Sequence, residues 1–397
     1  MNKIGLALEG GGAKGAYHVG VVTALYESGY SFDAVVGTSI GALNAAILAQ
    51  DGLEVLKEFW QTVRISNIFD IDDDLADSFA EKGMTRENLM ETIKLMRHPF
   101  KFVQTSGNLM ETYVKQRIFP EKLLNSKIKV GCVTYCVNKR KAVELFVDDM
   151  EKEHIVDYFI ASATYPLYGF YEFGGNKYID GGVIDNLPIN LIASKGYKDI
   201  VAVRTSNKPL KTKINYDVNV RYVVPSEQLG NMIAFVKPNI NRCLKVGYYD
   251  GLRFVNGYLG KKYYIKPFDN NKFEEYFLEL PYEDMLEFLG KTSKVRAINL
   301  RMLKEYIKHD LTGEISDSDC LLSIVELIAA SFKIDRFCVF TIDELLRQIR
   351  DEANKYSEDK GLEVVFSKIR NNNLRKLANV VAKYIAEKTE IIGGENE

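Results

Sequence analysis

The chain has 397 residues, 46% hydrophobic and 27% charged, the balance of an ordinary globular protein with enough length for two or three domains and a substantial core. A formal net charge of −2 offers no basic excess, so nucleic acid is not expected as a partner. Five scattered cysteines without a C-x-x-C pair argue against a disulfide framework or a zinc site.

The N-terminal stretch "MNKIGLALEGGG" carries one lysine and then a short apolar run that meets the glycines directly. It is shorter than a secretory h-region and lacks a small-residue cleavage site, so Ile4–Leu8 reads as a buried strand. A helix over Gly15–Ser28, a short strand at Ala34–Val36 and a small-residue helix over Ser39–Gln50 follow. This alternation predicts an α/β fold with a mostly parallel sheet covered by helices. From Trp60 to about Gly107 the pattern loosens. Lys127–Val137 and Lys141–Val147 flank "NKR" and predict a hairpin, which makes Lys139, Arg140 and Lys141 a solvated turn. Cys132 and Cys136 lie four apart in the first of these strands, on one face, as small core hydrophobes. A helix around Glu153–Ala163 precedes "YIDGGVIDNLP", then comes a helix from about Pro188 and the strand "DIVAVRT".

Beyond about Asn270, segments such as "LLSIVELIAASF" and "NLRKLANVVAKYIAEKTE" repeat apolar residues at helical spacing. They predict a separate all-helical region, dividing the chain into residues 1–268 and 269–397. No stretch reaches the roughly 18 apolar residues of a membrane span. The most apolar helical run, Cys320–Phe332, is too short and carries Glu326, so it reads as a core helix. A cytoplasmic location is expected, with peripheral membrane contact left open.

Three motifs carry chemistry. Gly10, Gly12 and Gly15 in "EGGGAKGAYHVGVV" fit the G-x-G-x-x-G of a dinucleotide turn, but the same run can also aim backbone N–H groups at the oxygen of a reacting ester. Gly37-Thr38-Ser39-Ile40-Gly41 is a G-x-S-x-G elbow between a β-branched strand and an Ala-rich helix. A sharp turn there exposes the Ser39 hydroxyl at a helix N-terminus, which favours developing negative charge. A dinucleotide site wants an acid at the carboxyl end of the second strand, whereas Asp33 precedes that strand. The phosphate-loop G-K-[ST] is also missing. The first loop therefore reads better as an oxyanion hole built from the N–H groups of Gly10, Gly11 and Gly12, with Lys14 either supporting the loop or facing solvent. Serine needs a base. Asp180 in "KYIDGGVIDN" stands at a glycine turn after a short strand; an ordinary Asp-Gly turn explains it equally well on this motif alone. None of His18, His98, His154 and His309 lies in a comparable setting.

"EGGGAKGAYHVGVV", "GTSIGALNAA" and "DGGVIDN", in this order, resemble the patatin-like phospholipase family over residues 1 to about 205, with an extension toward 268. The resemblance implies a three-layer α/β/α fold and a Ser–Asp dyad that hydrolyses acyl esters of lipids with neither cofactor nor metal. By position Ser39 is the nucleophile and Asp180 the base. Gly10, Gly11 and Gly12 form the oxyanion loop, and Lys14 stands where the family often has arginine. Gly15, Gly37, Gly41, Gly181 and Gly182 support the motifs. The implied partner is a lipid or other acyl-ester substrate. The amphipathic stretch with Leu89, Met90, Ile93 and Met96 beside Lys94, Arg97 and Lys101 is then either a lid over an acyl channel or a plain surface helix. Two rival readings are a catalytically silent module of the same fold whose helical extension binds a partner, and a nucleotide-binding oxidoreductase.

Overall fold

The computed structural model describes residues 3–68, 71, 73–74, 108–166, 169–210, 212–280, 316–356 and 361–388. The lid stretch with Leu89, Met90, Ile93 and Met96 lies outside the described residues, as do His98 and His309. The chain forms two compact units, Met1–Val255 and Asn256–Glu397.

In the first unit the elements follow as β1 (Ile4–Leu8), α1 (Ala16–Glu27), β2 (Ala34–Thr38), α2 (Ile40–Thr62), β3 (Lys129–Cys136), β4 (Lys141–Phe146), α3 (Ile155–Ala163), β5 (Tyr171–Phe173), β6 (Asn176–Asp180), α4 (Ile189–Ser194), β7 (Asp199–Val203), β8 (Asn219–Val223) and α5 (Lys237–Asn256). The sheet runs β5-β6-β3-β2-β1-β7-β8, with β4 also paired to β3. From β3 through β8 along this order every pairing is parallel; β4, β5 and β6 join antiparallel.

The central strands are apolar along their whole length because both faces are covered. Ala7, Ala34, Val36, Val133, Ile200 and Ala202 pack with Ile189, Leu191 and Ile192 around α4 on one face. The alternate residues Leu6, Leu8, Val35, Val201 and Val203, also buried, point to the other face, which α2 covers against β1, β2 and β3 with α1 and α3 beside it. The result is the expected three-layer α/β/α arrangement. The hairpin read around "NKR" is present as β3 and β4, and Cys132 and Cys136 are buried free thiols.

The second unit contains β9 (Tyr264–Ile265), α6 (Asn270–Tyr276), α7 (Asp317–Ser331), β10 (Val339–Phe340), α8 (Ile342–Asn354) and α9 (Asn372–Glu387). It is helical apart from the short parallel pair of β9 with β10, and this pairing carries Tyr264 and Ile265 into the second unit rather than the first. Reciprocal caps start two of its helices, Ser316 with Asp319 for α7 and Thr341 with Glu344 for α8, each satisfying N–H groups that the helix itself cannot. Glu326 of α7, 3% exposed, has one carboxylate oxygen accepting the backbone N–H groups of Lys261, Lys262 and Tyr263, each at 2.8 Å. A buried charge is tolerated there because backbone donors surround it.

Candidate active site

The sharp turn at Ser39 is a consequence of crowding at the end of β2. Ser39 has φ 56° and ψ −126°, a backbone conformation that non-glycine residues seldom adopt and that costs on the order of 1–3 kcal/mol. Tight packing over-determines it. A Cβ on Gly37 would stand 2.1 Å from the Gly41 carbonyl carbon, and one on Gly41 would stand 2.3 Å from the Leu8 oxygen. Neither glycine has room for a side chain, so the chain reverses from strand to helix around Ser39. Its backbone N–H donates to Ser162 Oγ of α3 at 3.0 Å.

Asp180 ends β6 and turns into a short 3-10 segment, Gly181–Val183, where its Oδ1 accepts the Gly182 N–H at 2.7 Å. A Cβ on Gly181 would stand 2.2 Å from the Val133 oxygen, so the turn presses on β3. The carboxyl is 6% exposed. Burial pushes its pKa up to about 6, against the opposing pull of the Ser39 hydroxyl and the Gly182 N–H, which favour the charged form. That value puts a carboxylate near neutrality, where a general base works well.

The glycine loop leads from β1 to α1. Gly10 N–H donates to the Asn186 carbonyl at 3.0 Å, Lys14 N–H to the Gly11 carbonyl at 3.3 Å and Ala13 N–H to the Met232 carbonyl at 2.7 Å. The sequence expectation that Gly10, Gly11 and Gly12 all offer N–H groups is therefore corrected at Gly10, whose donor is engaged in holding the loop to the Asp180 turn. Among the described residues, no acceptor meets the N–H of Gly11 or Gly12. Gly12 sits at φ 57°, and a Cβ there would approach the Met232 oxygen to 2.2 Å. Behind the loop, a Cβ on Gly15 would meet Ile40 at 2.6 Å, while Asn44 Nδ2 donates to the Gly15 carbonyl at 2.9 Å and Trp60 Nε1 to Asn44 Oδ1 at 2.9 Å. This network ties the start of α1 to α2.

A cavity of about 440 Å³ gathers these elements: Gly10, Gly11, Lys14, Ser39, Asp180 and Gly182 line it together with Tyr165, Met232 and Thr205. The histidines described do not line it. His18 is fully buried on α1, its Nδ1 3.1 Å from Asn44 Nδ2, and desolvation lowers its pKa to about 3, so it stays neutral. His154 Nδ1 pairs with Asp157 at 2.8 Å. Among the described residues no three His, Cys, Asp or Glu side chains are placed to hold a metal ion, and no helix is long and apolar enough to cross a membrane.

Sequence reasoning missed Asn186, Thr205 and Met232. Met232 acts through its backbone carbonyl, Asn186 through its carbonyl and its side-chain amide, and Thr205 through its hydroxyl and N–H, and only Asn186 lies within one of the three quoted motifs.

Set against known proteins, residues 6–193 match the family model of patatin-like phospholipase. The chain is 27% identical over 214 residues to Lysophospholipase NTE1 of Scheffersomyces stipitis, covering 54% of this chain and 12% of that protein. It is 27% identical over 220 residues to Patatin-like phospholipase domain-containing protein 7 of Mus musculus, covering 54% of this chain and 14% of that protein. The chain thus spans a small part of the length of these curated relatives. The crystal structure of VipD from Legionella pneumophila aligns with 98% of this chain and 92% of its own at a TM-score of 0.41 and 14% identity.

Proposed function

Because residues 6–193 are a patatin-like phospholipase domain, we propose that the protein is a serine acyl hydrolase that cleaves acyl esters of lipids through Ser39 and Asp180. The observation that carries this reading is the strained Ser39 at the end of β2 beside a buried Asp180 whose pKa is raised to about 6. Asp180 takes the hydroxyl proton as Ser39 Oγ attacks the ester carbonyl. The N–H groups of Gly11 and Gly12 receive the oxyanion, and Lys14, lining the same cavity, adds positive charge to its surroundings. Collapse of the tetrahedral intermediate expels the alcohol, which leaves with the proton from Asp180. Water then gives a proton to Asp180 and attacks the acyl-serine, releasing the acid and restoring Ser39. An oxyanion donor contributes about 3 kcal/mol to such a transition state, so the loop matters nearly as much as the dyad.

The lipid nature of the substrate is supported by the cavity's surroundings. Tyr165, Val183 and Met232 line it and are exposed, as are the adjacent Ile184 and Ile233. Exposed apolar side chains clustered at a cavity mark a binding surface for an apolar ligand.

An activated organophosphonate should label Ser39 in the full chain. Ser39→Ala should lose both labelling and turnover of a chromogenic acyl ester while keeping its thermal unfolding midpoint. Equal labelling of the variant would place the nucleophile elsewhere.

A further inference from the structure

The Gly10–Gly11 peptide is fastened by Thr205, a residue outside the proposed dyad. Thr205 lies two residues past β7 and is 4% exposed. Its Oγ1 donates to the Gly10 carbonyl at 2.7 Å, with Glu9 Oε2 the more distant acceptor at 3.3 Å. Glu9 in turn accepts the Thr205 backbone N–H and pairs with Arg204, which anchors the threonine. Asn186 Nδ2 reaches the same Gly10 carbonyl at a looser 3.4 Å.

No described peptide bond is cis, and in a trans peptide plane the C=O and N–H point in opposite directions. A Gly10 carbonyl drawn to Thr205 therefore turns the Gly11 N–H the other way. The next peptide is held likewise, since the Gly11 carbonyl accepts the Lys14 N–H. Glycine imposes little preference on φ and ψ, so a Gly-Gly peptide without such an anchor can turn over and present its oxygen where a donor is needed.

Resting on the reading of the chain as an acyl hydrolase, we propose that Thr205 is a positioning residue for the oxyanion hole: its hydroxyl holds the Gly10 carbonyl back so that the Gly11 N–H is presented to the substrate oxygen. It touches no reacting atom and acts only through this peptide.

The test compares Thr205→Val, which keeps the shape without the hydroxyl, with Thr205→Ser, which keeps the hydroxyl, both in the full chain. Loss of an aligned donor predicts kcat lower by about 10²–10³-fold in Thr205→Val with KM within about twofold, because the donor acts on the transition state alone. Thr205→Ser should stay within about threefold of wild type, and a crystal structure of Thr205→Val should show the Gly10–Gly11 peptide turned over. Thr205→Ala serves the same comparison if the valine variant does not fold. A hydroxyl-free variant with wild-type kcat, a serine variant as impaired as valine, or an unrotated peptide would overturn the proposal. Absence of ester turnover in wild type would sink the hydrolase reading instead, and the peptide orientation in the variant crystal would then decide the role of Thr205 by itself.

Discussion

Thr38 and Asp180 end two different strands on successive rungs of one β3 edge: Thr38 pairs with Val133 and Asp180 with Thr134. β4 occupies the opposite edge of β3 over Gly131–Cys136, so parallel β2 and antiparallel β6 share the remaining edge end to end. The residue after Thr38 is Ser39, and the elbow delivers its hydroxyl to the carboxyl of Asp180. Sheet register, more than any local turn, brings together Ser39 and Asp180, the pair proposed as the dyad. Asp180→Asn keeps the size and the acceptor for Gly182 N–H but removes the proposed base. Ester turnover should fall by about 10²–10⁴-fold, measured against a chromogenic ester on protein with unchanged secondary structure by circular dichroism.

In the proposed mechanism the raised pKa of Asp180 sets the acid limb of activity. The base must be ionised to accept the Ser39 proton, so kcat/KM should decline as pH falls through about 6, against about 4 for an ordinary aspartate. A pH–rate profile on a soluble ester, whose own ionisation is constant, reads this directly. An acid limb near 4 would mean that the carboxyl is better solvated than the structure has it.

The parts of this site written in local residue types were open to sequence reasoning. Gly37 and Gly41 announce the elbow because backbone contact forbids a side chain at both, and Ser39 follows from them. Asp180 was readable as a turn residue, but its place next to Ser39 depends on the β3 register, which no short window contains. Thr205 and Asn186 hold the loop by side chains that lie far from it in the sequence, and Met232 by its backbone carbonyl, which leaves no signature of residue type. The engagement of Gly10 N–H was hidden for the same reason. In the second unit, apolar spacing marks α7 and α9, whereas β9 and β10, two residues each, are too short to alternate.

The glycine loop should tolerate no side chain at Gly12. Its φ of 57° and the Met232 oxygen 2.2 Å from a Cβ mean that Gly12→Ala must displace the loop or the Met232 segment. Either movement misplaces the donors, so kcat should drop by at least about tenfold with a smaller change in KM. Steady-state kinetics checks this, and an alanine variant with wild-type kcat would remove Gly12 from the oxyanion hole.

Histidine should be dispensable for the chemistry. His18, neutral and enclosed, contacts Asn44, and replacing it should lower stability through that network before it touches kcat. His154→Asn should leave turnover within a few-fold, since its partner is Asp157 and it does not line the cavity. Single replacements of His98 and His309 complete the set. A folded single-histidine variant as inactive as Ser39→Ala would restore a triad.

Keeping Asp180 buried and ionised should also cost stability, with a definite dependence on pH. The folded pKa, about 6, lies above that of the unfolded chain, so between the two values the folded state holds the extra proton. Stability therefore falls as pH rises through that window, and the whole penalty is present above about 6. Two pKa units correspond to about 3 kcal/mol at pH 7, and to about half that at pH 5, where the folded carboxyl is largely protonated. Asp180→Asn carries no such charge. Whatever fixed offset the amide introduces, the stability of the variant relative to wild type should improve by about 1 kcal/mol or more between pH 5 and pH 7.5. Urea unfolding of both proteins at the two pH values measures this difference. A gap that stays constant with pH would show that the buried carboxyl does not titrate in that window, and the acid limb of the rate profile would then need another group.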